Sequence, residues 1–309
     1  MNQKKNEEVP NGGSERIQGK VVELFLVNGT ADSLIKAELD NWNGKLIKIP
    51  RTEVTSSKVS SMEDINSAGI YFLICKEDDG KDSVYIGEAV NVLKRLKQHL
   101  NSYKCGKDKY YWNTAIIFIG DLDKAQNQYL ENRFVGIALN SERYKVLTEN
   151  TCQEVSLKET QITTAEKFIV NAKILLNALG YKILVPVSQA NNKTTFLFCK
   201  SSKSKAEAKG YSSSEGFIVS KGSTISNSTS KNEKYESYSK LRNKLIQDGI
   251  IDKNVFIKDY IFDSPSAASS VILGRVSSGN EDWKTKDRKK LKKLGITPKT
   301  PLKSSKNSL

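Results

Sequence analysis

Tyr71, Tyr85, Arg95 and His99, the one histidine of the chain, lie within residues 71–99, and Glu131 follows on a separate segment. Each type has its own use. Arginine presents a planar fork that stays charged and can give a phosphate two hydrogen bonds. A tyrosine with a pKa of about 10 is a poor base in water, so Arg95 or a metal is expected to lower it. Taken singly, each residue has a plainer reading: Arg95 and His99 as a solvated helix face, the tyrosines as cross-strand packing, Glu131 as amphipathic patterning. The combination is what points to chemistry.

The elements around them are short and well marked. GIYFLIC and SVYIG are apolar, β-branched runs separated by KEDDGKD, which predicts a hairpin with both tyrosines close to opposite positions on one face. Residues 89–100 read as a helix in which Ala89, Leu93, Leu96 and Leu100 form the core stripe. Arg95 and His99 stand one turn apart on a neighbouring polar stripe. TAIIFIG reads as a strand, and residues 123–139 as a second helix capped by Asp123. Leu130, Phe134 and Ile137 mark its core side, with Glu131 half shielded at the edge.

The string AGIYFLICKEDDGKDSVYIGEAVNVLKRLKQHL, with Gly-Ile-Tyr, Tyr-Ile-Gly and an arginine eight residues after the last glycine, resembles the GIY-YIG nuclease superfamily. That superfamily includes the nuclease module of bacterial excision repair, some homing endonucleases and some restriction enzymes. The resemblance covers about a quarter of the chain. It implies a small central sheet flanked by helices and hydrolysis of DNA phosphodiesters with a single Mg²⁺ or Mn²⁺ held by a glutamate, here Glu131. It further implies that Tyr71 or Tyr85 helps to activate water and that Arg95 stabilises charge on the phosphate, with His99 sharing the proton transfer or contacting phosphate. Many relatives carry an asparagine within an Arg-Tyr-Asn sequence. Here Arg143 and Tyr144 are followed by Lys145, which leaves Asn150 as the candidate supporting residue.

Composition agrees with such a partner. The net charge of +14 and pI near 9.4 favour a polyanion. Cys75, Cys105, Cys152 and Cys199 form no close pair, which argues against zinc and disulfide frameworks. A polar N-terminus without an apolar core and the lack of a spanning apolar run point to a cytoplasmic protein with no membrane partner. No small-molecule cofactor is expected.

The fold class expected is α+β. Residues 1–16 read as a disordered leader, 17–58 as a small β-rich N-terminal unit, and 66–152 as the nuclease-type module. Residues 160–200 read as a connecting region with a long helix capped by Thr164 and stopped at Gly180, then strands at YKILVPV and TTFLFC. SSKSKAEAKG reads as a linker or loop. Residues 210–283 read as a C-terminal α+β domain with a hairpin at VFIKDYIFD and a helix opened by Ser264 and Pro265, and 284–309 as a basic disordered tail. GFIVSKGSTIS, SYSKLRNKLIQDGIID and FDSPSAASSVILGR resemble a small domain of unknown function that often lies behind such modules, Trp283 being another recognisable part. The alternative to an enzyme is a non-catalytic nucleic-acid-binding module that retains the fold. One active site cuts one strand, so a double-strand cut requires a homodimer or two sequential events.

Overall fold

A computed structural model of the chain describes residues 19–77, 80–108, 110–149, 155–187 and 194–294. It divides into two units, Met1–Val185 and Pro186–Leu309. The leader expected over residues 1–16 lies outside the described residues.

In the first unit the strands are β1 (Val22–Leu26), β2 (Ile35–Leu39), β3 (Lys45–Pro50), β4 (Gly69–Lys76), β5 (Asp82–Ala89), β6 (Trp112–Ile119) and β7 (Lys145–Val146). Between and after them lie the helices α1 (Ser57–Ser60), α2 (Val92–Lys104), α3 (Lys124–Ser141) and α4 (Glu159–Ala178). All seven strands form one sheet in the order β1-β2-β3-β6-β4-β5-β7. The three N-terminal strands, expected as a unit of their own, are continuous with the rest, because β3 pairs along its length with β6. The reason is burial. β6 carries the run Ala115-Ile116-Ile117-Phe118, apolar on both faces, and such a strand belongs inside a sheet rather than at its edge. Leu46, Ile47 and Ile49 of β3 supply the matching apolar partner.

The sheet has a helical layer on each side. Ile70, Phe72, Ile86 and Phe118 pack with Leu130 and Phe134 of α3 and with Phe168, Ile169, Leu175 and Leu176 of α4. The opposite face packs Tyr71, Leu73, Ile47, Ala115 and Ile117 with Val92, Leu93 and Leu96 of α2. Each helix begins where its sequence permits. Asn91 caps α2 by accepting the Lys94 amide at 2.9 Å, and Asp123 and Gln126 form a reciprocal capping box at α3. α4 starts earlier than Thr164, since Gln161 folds back to accept the Lys158 amide at 3.0 Å. It ends at Gly180, whose φ of +87° suits glycine alone. YKILVPV forms no strand, and Ile183 and Leu184 are buried in the core beneath α3 and α4.

In the second unit the strands are β8 (Leu197–Ser201), β9 (Ala206–Ser213), β10 (Gly216–Val219), β11 (Ile251–Asp252), β12 (Val255–Phe256) and β13 (Tyr260–Phe262). The helices are α5 (Glu236–Gln247), α6 (Pro265–Leu273) and α7 (Gly279–Asp282). The main sheet runs β13-β10-β9-β8, with β11 and β12 as a separate pair. SSKSKAEAKG is therefore no linker. Ala206, Ala208 and Gly210 face the core, and their small size concealed the alternation. VFIKDYIFD divides between two pairings, β12 with β11 and β13 with β10, rather than closing on itself. α6 opens as expected, with the Ser264 hydroxyl accepting the Ala267 amide at 3.1 Å.

The basic tail also begins later than its charge suggested. Lys284 exchanges two backbone hydrogen bonds with Phe198, Leu291 donates its amide to Trp283, and the Leu291 side chain is buried in the domain core. One leucine and a free strand edge are enough to fix residues 284–294 despite their lysines; residues 295–309 lie outside the described residues. Leu291→Ala is expected to destabilise this unit by about 2–5 kcal/mol. Hydrogen exchange of the β8 and β9 amides reads the loss, whereas a change below about 0.5 kcal/mol would mean a solvated tail.

Candidate active site

Register decides how the two tyrosines meet. Tyr71 pairs with Gly87 and Leu73 with Tyr85, so the phenols are diagonal rather than opposite, on one face of the β4–β5 hairpin. Their rings stack at 6.1 Å between centroids. The two motif glycines have separate causes. A Cβ on Gly87 would lie 2.5 Å from Tyr71 Oη, so the phenol rests on bare backbone. A Cβ on Gly69 would lie 2.5 Å from the Phe118 carbonyl oxygen and force β4 away from β6.

α2 crosses this face and delivers Arg95 and His99. His99, expected on a polar stripe beside the core stripe, is itself buried; it is 4% exposed, with its ring edge against both tyrosines. Its Nε2 lies 3.1 Å from Tyr71 Oη and its Nδ1 lies 3.0 Å from Asp108 Oδ2. A carboxylate only accepts, so Nδ1 carries the proton and, in the neutral ring, Nε2 accepts the Tyr71 O–H. Arg95 Nε donates to the same Tyr71 oxygen at 3.2 Å. The result is an ordered chain, Asp108–His99–Tyr71–Arg95, in which one phenol oxygen serves two partners.

The electrostatics correct one expectation. Arg95 does favour the Tyr71 phenolate, but burial, with Tyr85 adding to it, outweighs the guanidinium, and the Tyr71 pKa moves up rather than down. His99 is held below its usual value, chiefly by burial and also by Arg95, although Asp108 opposes the shift. At neutral pH the pair is therefore an uncharged phenol hydrogen-bonded to an uncharged imidazole.

Asp108 and Tyr110 were not singled out in the sequence. They lie in the connection between α2 and β6, where no periodicity marks them. The only signal was a polar, glycine-containing stretch directly after a helix bearing the lone histidine. Tyr110 stacks on Tyr85 at 5.6 Å and 19°, extending the aromatic row from Tyr71.

Tyr85, Arg95, His99, Asp108 and Tyr110 open onto a cleft of about 630 Å³. Its far wall is β7 and the residues after it, fixed to β5 by the Leu147 amide to the Val84 carbonyl (2.8 Å) and by Thr148, whose hydroxyl both accepts the Ile86 amide and donates to its carbonyl. Lys145, which follows Arg143 and Tyr144, lines this wall and pairs with Glu77 at 2.9 Å. Asn150 lies outside the described residues.

Glu131 is on α3, 7% exposed, between the core residues Leu130 and Phe134, and it does not line the cleft. Four of the sequence candidates thus come together, and the fifth stands on the helix layered against the other face of the sheet. Among the described residues no group of three or more histidine, cysteine or acidic side chains could hold a metal by itself. No described helix is long and apolar enough to cross a membrane.

Residues 67–144 match the family model described as the GIY-YIG catalytic domain, and residues 197–295 match that of a domain of unknown function, DUF4357. The first match begins just before β4 and ends just before β7, so the sheet extends beyond it on both edges. The second begins at β8 and takes in the folded residues 284–294. No curated protein and no solved structure matches the chain. With the stacked tyrosines, the Arg95–Tyr71–His99 contacts and these two matches, the chain carries a domain of the GIY-YIG nuclease superfamily followed by a DUF4357 domain.

Proposed function

We propose that the chain is a divalent-metal-dependent DNA endonuclease whose working groups are Tyr71, Tyr85, Arg95, His99 and Glu131, with Asp108 as a positioning residue. The observation that carries this reading is the Asp108–His99–Tyr71 chain of hydrogen bonds, with Asp108, His99 and Arg95 lining the cleft and Tyr71 buried directly behind them. A buried phenol with a raised pKa does not ionise alone, so Tyr71 works as a relay. As water attacks phosphorus, its proton passes to Tyr71 Oη while the Tyr71 proton passes to His99 Nε2. The imidazolium that results is held by Asp108, which also fixes the tautomer. Arg95 remains charged throughout and offers its fork to the phosphate oxygens. Lys145 and Lys107 on the cleft walls add positive charge for the DNA backbone.

An Mg²⁺ or Mn²⁺ ion bound through a single carboxylate would have water and phosphate complete its shell. The resemblance assigns the ion to Glu131, whereas Glu149 is a carboxylate that lines the cleft itself; whichever of them holds it, the ion would polarise the phosphoryl oxygen and assist the leaving group. On this reading Arg95→Ala and Glu131→Ala each lower Mg²⁺-dependent nicking of plasmid by about a hundredfold or more. Because Glu131 does not line the cleft, Glu149→Ala is the comparison that matters. If Glu149→Ala loses cleavage and Glu131→Ala keeps it, the ion belongs to the cleft's own carboxylates. Binding of DNA without nicking in Mg²⁺, on several DNA forms, would instead favour the non-catalytic module.

The relay sets a direction for pH. His99 must be neutral to accept a proton, and burial keeps its pKa below the usual 6.5. Cleavage should therefore hold as pH falls through 6.5 and decline only at more acidic values. Asp108→Asn removes the group that raises the His99 pKa, so its acid limb moves lower still while the maximal rate drops by about tenfold or more. Rate–pH profiles of the two proteins measure this, and identical profiles would remove Asp108 and His99 from proton transfer. The cytoplasm is the compartment this reading assigns, and a double-strand cut would come from a homodimer or two successive events.

A further inference from the structure

The second unit has a cleft of its own on the outer face of β8 and β9. β8 sends Leu197 and Cys199 into the core, so Phe198 and Lys200 face outward, with Phe196 continuing the same alternation. On β9 the residue paired with Phe198 is Lys209, whose Nζ lies 3.7 Å from the centre of the Phe196 ring. The chain after α7 forms the opposite wall. Lys284 pairs with Phe198 along the strand edge, and a tight turn follows in which Thr285 and Lys289 bond through the backbone and Arg288 takes a φ of +59°. Phe198, Lys200, Lys284, Lys286 and Arg288 thereby line a cavity of about 550 Å³, joined through Phe198, Thr285 and Lys286 to a second of about 390 Å³.

Cations outnumber acids on its walls, with Lys200, Lys209, Lys284, Lys286 and Arg288 against Asp282 and Asp287. Lys200 is paired with Glu207, and Asp282 is engaged by the Ser277 hydroxyl at 2.5 Å and by Arg275 at 3.6 Å. Lys209, Lys284, Lys286 and Arg288 form no ion pair with another described residue. A partly exposed phenylalanine beside several exposed cations matches a ligand that is both flat and apolar and anionic. Nucleic acid meets that description, and an unpaired base does so better than a duplex, because only an unstacked base offers its face to a side chain.

We infer that this cleft binds single-stranded nucleic acid, with a base stacked on Phe198 and adjacent phosphates on Lys284, Lys286 and Arg288. It is a site separate from the one in the first unit and holds whether or not that unit cleaves. Its size suits one or two nucleotides, so it would anchor a strand rather than read a long sequence.

The full-length chain bearing Glu131→Ala, kept in EDTA, separates binding from cutting. Fluorescence anisotropy with labelled oligothymidylate should show Phe198→Ala weakening single-strand binding about tenfold while duplex binding changes little. Phe198→Tyr, which keeps the ring, should restore it. Lys286→Glu with Arg288→Glu, both exposed and safe for folding, should weaken binding and flatten its salt dependence by about 0.7 for each phosphate no longer neutralised. Photo-crosslinking to bromouridine oligonucleotide should mark peptides covering residues 196–200 or 284–288. The inference is overturned by crosslinks confined to the first unit, by unchanged affinity in the charge-reversed variant, or by equal competition from polyglutamate. Failure of plasmid nicking alone would bear on the first unit and leave this result standing.

Discussion

One oxygen organises the first unit. Tyr71 Oη is held over Gly87, accepts from Arg95 and donates to His99, all on a strand that lies inside the sheet. Each requirement constrains a different element. The phenol needs a glycine on the neighbouring strand, an α2 whose cap sets its rotation, and a carboxylate behind the histidine. If β5 slipped by one residue relative to β4, Gly87 would no longer lie beneath the ring and Tyr85 would turn to the other face. The geometry of the hairpin and the geometry of the polar chain are therefore one constraint.

Burial is what makes this arrangement chemically distinct. In water the arginine would lower the phenol pKa and the histidine would titrate near its ordinary value. Here the apolar layer beneath α2 disfavours charge on both, so the proton rests between two neutral groups. The same layer is continuous with β3, so the N-terminal strands that lie outside the matched family region still contribute to the wall on which the site is built. Trp112 and Ile47 are fully buried members of that layer.

The second unit follows a different logic. Its core sets the buried aromatics Phe217, Phe256, Phe262 and Trp283 against small residues on β9 and on α6, where Ala268, Ser269 and Ser270 are buried and Ser277 Oγ donates to Ser269 Oγ at 2.8 Å. Small side chains let the helix approach the sheet closely. Phe196 and Phe198 lie on the outer side of the sheet, beside Lys209 and Lys284.

Short-range features were legible in the sequence. The Asp123 cap, the Ser264-Pro265 start, the Gly180 stop and the alternation of β4 and β5 depend on neighbours within a few residues, and each formed as its local chemistry required. The spacing of the Gly-Ile-Tyr and Tyr-Ile-Gly strings and of Arg95, with the resemblance it carries, also marked Tyr71, Tyr85, Arg95 and His99 as a group. What the sequence could not convey was which partners meet across the fold. The burial of His99, its bond to Asp108, the diagonal rather than opposite tyrosines, the entry of β1–β3 into the central sheet and the position of Glu131 outside the cleft all arise from packing between distant segments. A helical projection separates polar from apolar stripes but does not say what a later loop will lay over them. Tertiary structure decided that, because the environment that sets a side chain's charge and partners is built by residues far from it in the chain.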